Sequence, residues 1–451
     1  LKTQEPAQKA PEISKTTFTI NTTNPNLLQP VSTDYKLPNL AVNSDSWTFS
    51  ADASPQPPLD ELGFDTGLDM GMSMDGPHFT WEMIGLGLEE PLPTQKTIDE
   101  LHQIYFTKCH PSLPMIHKYR YLAAMNLAPS QRPPVALRYA VWTLAASVAD
   151  SYQSLTYHFY QRARKYLELD YLKGHGEHIM SVGHAQAHII LASYEFKSMD
   201  FPRAWMNTGS AVRLCQMMGL HRLDGASLDV KQCLRPPSDW TEGEERRRTF
   251  WMAFCEDRYA SIGTGWPMAI DEKDIATNLP ASDEAFDKSK EEATRTLQDS
   301  MCGSGASGLS AFGAVVLMAC LFGRNLVHLH RPDEDDRDND LNGEFWKRHR
   351  MMDNILLNTS LSLPAHLKLP NGLSNPNVIF VNMNIHTSAI CLHQAAIYKA
   401  DKNRLPASVS KESKLRCINA ANEIANIMRM ICHLDLSNVS PPVEHGTHAL
   451  T

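Results

Sequence analysis

The chain has 451 residues, 42% of them hydrophobic, which allows about three domains and at least one sizeable core. A formal net charge of −9 opposes direct DNA binding by these residues, because phosphate contacts need a basic face. Nine cysteines, odd in number and with no C-x-x-C pair, fit a reducing compartment and argue against both disulfides and a structural zinc site.

Residues 1 to about 95 read as a disordered arm. Thr, Asn, Ser and Pro dominate Lys2 to Asn43, with no periodicity to bury. From Leu59 to Ile84 the acids Asp60, Glu61, Asp65, Asp69 and Asp75 interleave with Leu62, Phe64, Leu68, Met70, Met72, Phe79 and Trp81. Such a mixture resembles an activation segment, in which charge keeps hydrophobic anchors solvated until a partner groove takes them. The plainer alternative is a linker that packs Phe79 and Trp81 on its own domain. No signal peptide is visible, and the chain starts at Leu1 rather than Met, which reads as a piece of a longer product.

The folded part is predicted to begin near Thr97, where Thr97 and Glu100 form a capping box ahead of Ile98, Leu101, Ile104 and Tyr105. Pro111 ends that helix. Pro133-Pro134 precede a helix through Val148, with Tyr139, Trp142, Ala146 and Val148 facing inward. Further helices are predicted over residues 154–172, 181–197 and 203–218, the last two divided at Met199 to Pro202. Ala204, Thr208, Ala211 and Cys215 place small residues on one face, so these last two segments read as a solenoid-like αα-hairpin closed by Gly219. No fixed period makes the chain a repeat array.

The most informative run is Glu242 to Pro280. Thr241 and Glu244 form a second predicted capping box, with acids leading and Arg246, Arg247 and Arg248 following, as the helix dipole favours. Glu242, Glu244, Glu245 and Glu256 neutralise these arginines, so a salt-bridged structural role outweighs a nucleic-acid stripe. Phe250, Trp251, Phe254 and Tyr259 recur at helical spacing. Gly263 and Gly265 are predicted to stop the helix, and Trp266-Pro267 to open a rigid turn. Trp266 reads either as a buried aromatic plug or, with Arg258, as the wall of a regulatory pocket between helices.

Beyond Leu279 the sequence to about Ser307 reads as a polar insert or mobile loop. Residues 308–330 form a long apolar helix, although its most apolar part, Gly308 to Phe322, is too short and too rich in Gly and Ala to span a bilayer. Helices follow over 341–360, 378–399 and 411–433, the middle one turning Ile390, Cys391, His393, Ala396 and Ile397 to the core. The final residues, 441–451, read as an irregular, truncated end.

The search for chemistry is largely negative. His184 and His188 lie four apart on one helix, but the H-E-x-x-H signature needs Glu where Ala185 stands, and Cys109-His110 has no second pair at zinc spacing. The acidic run Asp333 to Asp340 could hold Mg²⁺ and a diphosphate in an all-α lyase, yet no second metal motif follows and Leu341 stands where a calcium loop needs Gly. No phosphate loop or nucleophile elbow stands between a strand and a helix. No catalytic residue, cofactor site or metal site is assigned, and an enzyme is not expected.

The order Glu244, Arg246, Arg247, Arg248, Phe250, Trp251, Phe254, Asp257, Arg258, then Gly265, Trp266, Pro267, Ile270, Asp271, Asp274, Ile275, then Leu279-Pro280, resembles the regulatory domain of fungal zinc-cluster transcription factors. Tyr105 to Tyr121, Ala204 to Arg222 and Leu363 to Leu367 resemble the same domain. The resemblance implies an all-α, multi-helical regulatory domain over 96–440, behind the arm, in a nuclear regulator of RNA polymerase II transcription. It implies that zinc and DNA contact belong to an N-terminal cluster of six cysteines that this chain does not contain. Implied partners are the transcription machinery or coregulators, a small-molecule inducer and a second copy, and no membrane. A helical scaffold without DNA binding is the other alternative to the lyase.

Overall fold

A computed structural model of the chain describes residues 92–225, 233–301, 308–330 and 336–433. Among them are thirteen α-helices and no strands. The proposed activation segment, residues 59–84, and the irregular end, residues 441–451, lie outside the described residues.

Helix α1 spans Gln95–Ile104 and runs on as a π-helical turn, Tyr105–Cys109. It starts a turn earlier than the Thr97 box implies. Thr94 is the N-cap, its side chain accepting the Thr97 amide, because the cap must precede the first turn whose N–H groups it satisfies. Helices α2 (Lys118–Ala124), α3 (Val135–Ser147) and α4 (Thr156–Tyr171) follow. Tyr139, Trp142 and Ala146 are buried, while Val148 is partly exposed just past the helix end.

Helices α5 (Val182–Lys197) and α6 (Phe201–Met217) form the expected hairpin. Ala204, Thr208, Ala211 and Cys215 are all buried between them and their neighbours, which is what lets the backbones approach. Met199 takes a positive φ of 60° at the turn, and Gly219 closes α6 at φ 74°.

Helix α7 (Trp240–Thr264) passes through the centre, packed against α5, α6 and α10 (Ala311–His330). Its cap is Asp239, whose carboxylate accepts the Glu242 amide. Thr241 and Glu244 lie inside the helix and are buried, so the second capping box is also displaced. Gly263 continues the helix. Gly265, at φ 74°, ends it, donating its N–H to the Ser261 carbonyl.

The segment expected to be a polar insert or mobile loop, in its described part to Met301, anchors both its ends in the core and leaves residues 287–296 at the surface. It carries two short helices, α8 (Asp283–Asp287) and α9 (Leu297–Met301), and buries Leu279, Ala281, Phe286 and Leu297. Its polarity misleads because Ser282, Glu292, Thr296 and Asp299 spend their side chains on local backbone and hydroxyl partners. Helix α10, with 20 residues, is long and apolar enough to cross a membrane by length and composition, but 78% of that window is buried inside the protein. It is the central core helix of the second half, against α7 and α12 (Pro376–Lys402). Helices α11 (Glu344–Ser362) and α13 (Ala407–Ile431) complete the array, α13 lying along α12. In the second half of α12 the buried positions are Ser388, Leu392, His393, Ala396 and Ala400. Ile390, Cys391 and Ile397 are only partly buried, one step round from the predicted face.

Candidate functional site

The first turns of α7 carry a buried ionic hub. Spacings of three and four residues put Arg247 and Arg248 on the two oxygens of Glu244. Arg247 Nη1 lies 2.6 Å from Oε2 and Arg248 Nε 2.9 Å from Oε1. Glu244 Oε1 also accepts the Ala281 amide at 2.9 Å. Arg248 donates further to the carbonyls of Pro114 and Ala281 and to Asp283, so each guanidinium nitrogen has an acceptor, and its face lies 4.3 Å from the Phe286 ring. Arg247 reaches Asp224 at 2.7 Å, and Asp224 accepts the Asn278 amide. Arg246 pairs with Glu242 and donates to the Arg235 carbonyl. Three arginines in a row thus fasten the loops before α2, after α6 and around α8 to one helix.

Two turns later, Asp257 and Arg258 hold the strap that follows Gly265. Asp257 accepts the amides of Ala269 and Ile270, at 2.9 and 3.2 Å, and pairs with Arg258 at 2.8 Å. Arg258 donates to the Ile270 carbonyl at 2.7 Å and lies over Phe254 at 4.4 Å. Burial raises the Asp257 carboxyl above its usual range, against the pull of Arg258 and the two amides. Gly323 on α10 permits this arrangement, since a Cβ there would stand 2.7 Å from Arg258 Cδ. Farther along, the strap pairs its backbone with the loop after α6, Ala276 N–H to His221 O at 2.7 Å and Asp224 N–H to Ala276 O at 3.0 Å.

Beneath the strap lies a cavity of about 1020 Å³, bounded by Arg258, Met268 to Lys273, Ile275 to Asn278, Leu297, Met301, Gly323, Arg324 and Val327. Its wall mixes aliphatic side chains with both signs of charge. Arg324 pairs with Glu272 at 2.8 Å across one side. Trp266 does not line it. That ring is half-buried against Trp205, centroids 5.0 Å apart, and borders a separate cavity of about 220 Å³ with Pro267, Leu326 and His330. Arg258 and Trp266, paired from sequence as one pocket, therefore face two cavities that share Met268 and Val327 as walls.

The other signature residues occupy the same region. Phe250 and Trp251 are fully buried, and the Trp251 indole donates to the Asn278 carbonyl at 2.6 Å. Asp271 caps the short turn Glu272–Asp274, and Asp274 accepts from Arg222. The Pro280 carbonyl accepts the Ser310 hydroxyl just before α10. Sequence reasoning missed Asp224, Gly323 and Arg324. Asp224 sits in an unremarkable loop, and a glycine in an apolar helix carries no sign of what approaches it.

The weighed metal candidates have other partners. His184 bonds Ser181 and Asp170, whereas His188 bonds Asn207. Cys109 and His110 are each directed to a backbone carbonyl, Leu144 and Ile116. In the acidic loop Asp333 to Asp335 lie outside the described residues; Asp336 pairs with Arg348, Asp338 with Lys399, and Asp340 accepts the Asn342 amide. Among the described residues no group of three or more His, Cys, Asp or Glu could hold a metal ion.

The profile described as fungal specific transcription factor domain matches residues 102–338. Among curated proteins the chain is similar to a pigment biosynthesis transcriptional activator of Monascus ruber, 30% identical over 83% of this chain and 69% of that protein. It is also similar to a citrinin biosynthesis transcriptional activator of Monascus purpureus, 29% identical over 87% of this chain and 67% of the relative. An ascochitine biosynthesis cluster transcriptional regulator of Didymella fabae is 28% identical over 76% of this chain and 60% of its own length. No solved structure matches the chain significantly.

Proposed function

This chain belongs to the fungal specific transcription factor domain family, as the regulatory portion of a transcription factor, and on that premise we propose that it switches a biosynthetic gene cluster on in response to a small molecule. The domain so acting covers about 96–440, as read from the sequence. The full-length protein acts in the nucleus on RNA polymerase II genes, reaching DNA through zinc-cluster residues not contained in this chain. Its work involves no catalysis and no cofactor held by these residues. Coregulators are its protein partners, through the segment 59–84, and it acts as a homodimer.

One observation carries the ligand reading. The cavity under the strap is large enough for a drug-sized molecule, and Asp257 and Arg258 hold the Ala269–Ile270 end of its wall. A ligand that binds one position of the strap better than another shifts the population between them, and the strap is continuous with the hub that fixes α7. Ile275→Trp tests this by filling the cavity. The variant is expected to fold, and its target genes to lose their dependence on the inducing condition. Regulation identical to wild type would overturn the reading. Separately, residues 50 to 90 fused to a heterologous DNA-binding domain are expected to activate a reporter, and silence there would remove the activation segment.

A further inference from the structure

Helix α3 carries a second, unrelated anomaly. Arg138 is 2% exposed, yet its Nε and Nη1 have no acceptor, and it forms no ion pair with any described residue. Every other buried arginine of the hub is paired, so this one stands apart. Its charged surroundings make the anomaly sharper. The titratable groups that act on it are Arg132 and the phenols of Tyr121, Tyr139 and Tyr166, with no carboxylate among them, and burial lowers its pKa from the ordinary value.

Arg132 compounds the deficit. It lies three residues before the helix, with Nε bonded to the Leu127 carbonyl and Nη1 sealed without an acceptor. Two guanidinium groups near enough for their charges to act on each other therefore both carry donors to spare. The start of α3 adds more: its cap position is Pro134, it has no side-chain cap, and its first turn has no acid. Neighbouring His102 accepts the Trp142 indole at 3.0 Å and is neutral, its pKa lowered to about 4 by burial, so it brings no negative charge. Asp99, beside His102, is exposed, accepts from Gln95 and makes no ion pair with either arginine.

A buried cation without a counter-charge is costly enough that proteins pair it, hydrogen-bond it or shed its proton, and a guanidinium does not readily shed its proton. We propose that Arg132 and Arg138, at the uncapped start of α3, bind an oxyanion, the phosphoryl or carboxylate group of a small molecule, which supplies the missing acceptors. Arg132 is partly exposed and offers the way in, while Arg138 supplies a fixed planar fork that suits either group. This site lies on a different helix from the strap cavity and is independent of it.

Thermal unfolding of the full chain tests the proposal, with inorganic phosphate in one arm, acetate in another and chloride at matched ionic strength as reference. Wild type is expected to gain Tm saturably with phosphate, acetate or both, as a ligand bound to the native state requires. A response to phosphate alone assigns the phosphoryl group, and a response to acetate alone the carboxylate. Arg138→Met is expected to lose the response and to have a higher Tm in chloride, because the unpaired charge is gone. No response in wild type, or an undiminished one in Arg138→Met, overturns the site. Should Arg138→Met fail to fold, Arg132→Gln, altered at a partly exposed position, decides: a lost or weakened response supports the proposal and an unchanged one overturns it.

Discussion

Arg248 Nε lies 2.9 Å from Glu244 Oε1, and neither side chain has any exposure to solvent. The pair is one turn apart on α7, yet apart from the Arg247 bond to Glu244 its remaining hydrogen bonds go to residues 114, 281 and 283. Its importance therefore lies in what it fastens. Arg248→Met removes one of the three donors to Glu244 and the side-chain donors to the Pro114 and Ala281 carbonyls and to Asp283, and is expected to cost about 3–5 kcal/mol. Arg248→Lys keeps the charge but loses the fork, and is expected to fall between the two. Urea unfolding of the three proteins measures the order, and equal stability would show that the hub is dispensable.

Gly323 lets α10 reach Arg258. A Cβ there would meet Arg258 Cδ at 2.7 Å and the Met268 sulfur at 3.2 Å. Gly323→Ala is expected to cost about 1–3 kcal/mol through overpacking, offset slightly by better helix propensity. Because Arg258 must move, the amides of Ala269 and Ile270 are expected to exchange faster by hydrogen exchange. Unchanged protection of both would mean that the side chain yields elsewhere.

Trp266→Ala distinguishes plug from wall. The ring is half-buried against Trp205, so its loss is expected to cost about 1–2 kcal/mol, less than the range for fully buried tryptophans. Cooperative unfolding should persist with a modestly lower midpoint. Global unfolding of this variant at room temperature would make Trp266 a plug after all.

Glu256 is fully buried on α7. One oxygen accepts the Ser193 hydroxyl at 2.6 Å and the other has no partner. Burial raises its pKa well above the ordinary value, with the nearby Glu195 adding to the shift. Burial thus favours the neutral carboxyl, and on that footing Glu256→Gln is expected to change stability by less than about 1 kcal/mol at pH 7. A loss of several kcal/mol would mean the group is ionised.

The junction of α10, α11 and α12 stacks His328 on Phe345 and sets His349 edge-on to His393, with rings 4.6 and 5.2 Å apart. Burial lowers His328 to about 4 and His349 to about 3, from an unfolded value of 6.5. Between those values the unfolded chain binds more protons than the folded one. Stability from both is therefore complete above pH 6.5 and falls as the pH drops, by about 1.4 kcal/mol per pH unit for each histidine. His349→Phe is expected to flatten the decline between pH 6.5 and 4 in urea midpoints. An identical slope would place the acid sensitivity elsewhere.

The sequence alone carried the helices, because apolar spacing and the glycine stops at Gly219 and Gly265 act locally. It carried the family signature for the same reason, since Glu244, Arg247 and Arg248 are within one turn of each other. Local signals placed the caps a few residues wrong, at Thr97 and Thr241, because several residues near each start could cap and tertiary packing chose Thr94 and Asp239. Only the three-dimensional structure decided that Leu279, Ala281, Phe286 and Leu297 are core, since the polar side chains around them are spent on local partners. It alone divided Arg258 from Trp266: Arg258 borders one cavity with Gly323 and Arg324 and Trp266 another with Leu326 and His330, and the close approach of Gly323 to Arg258 joins residues 65 positions apart in the chain.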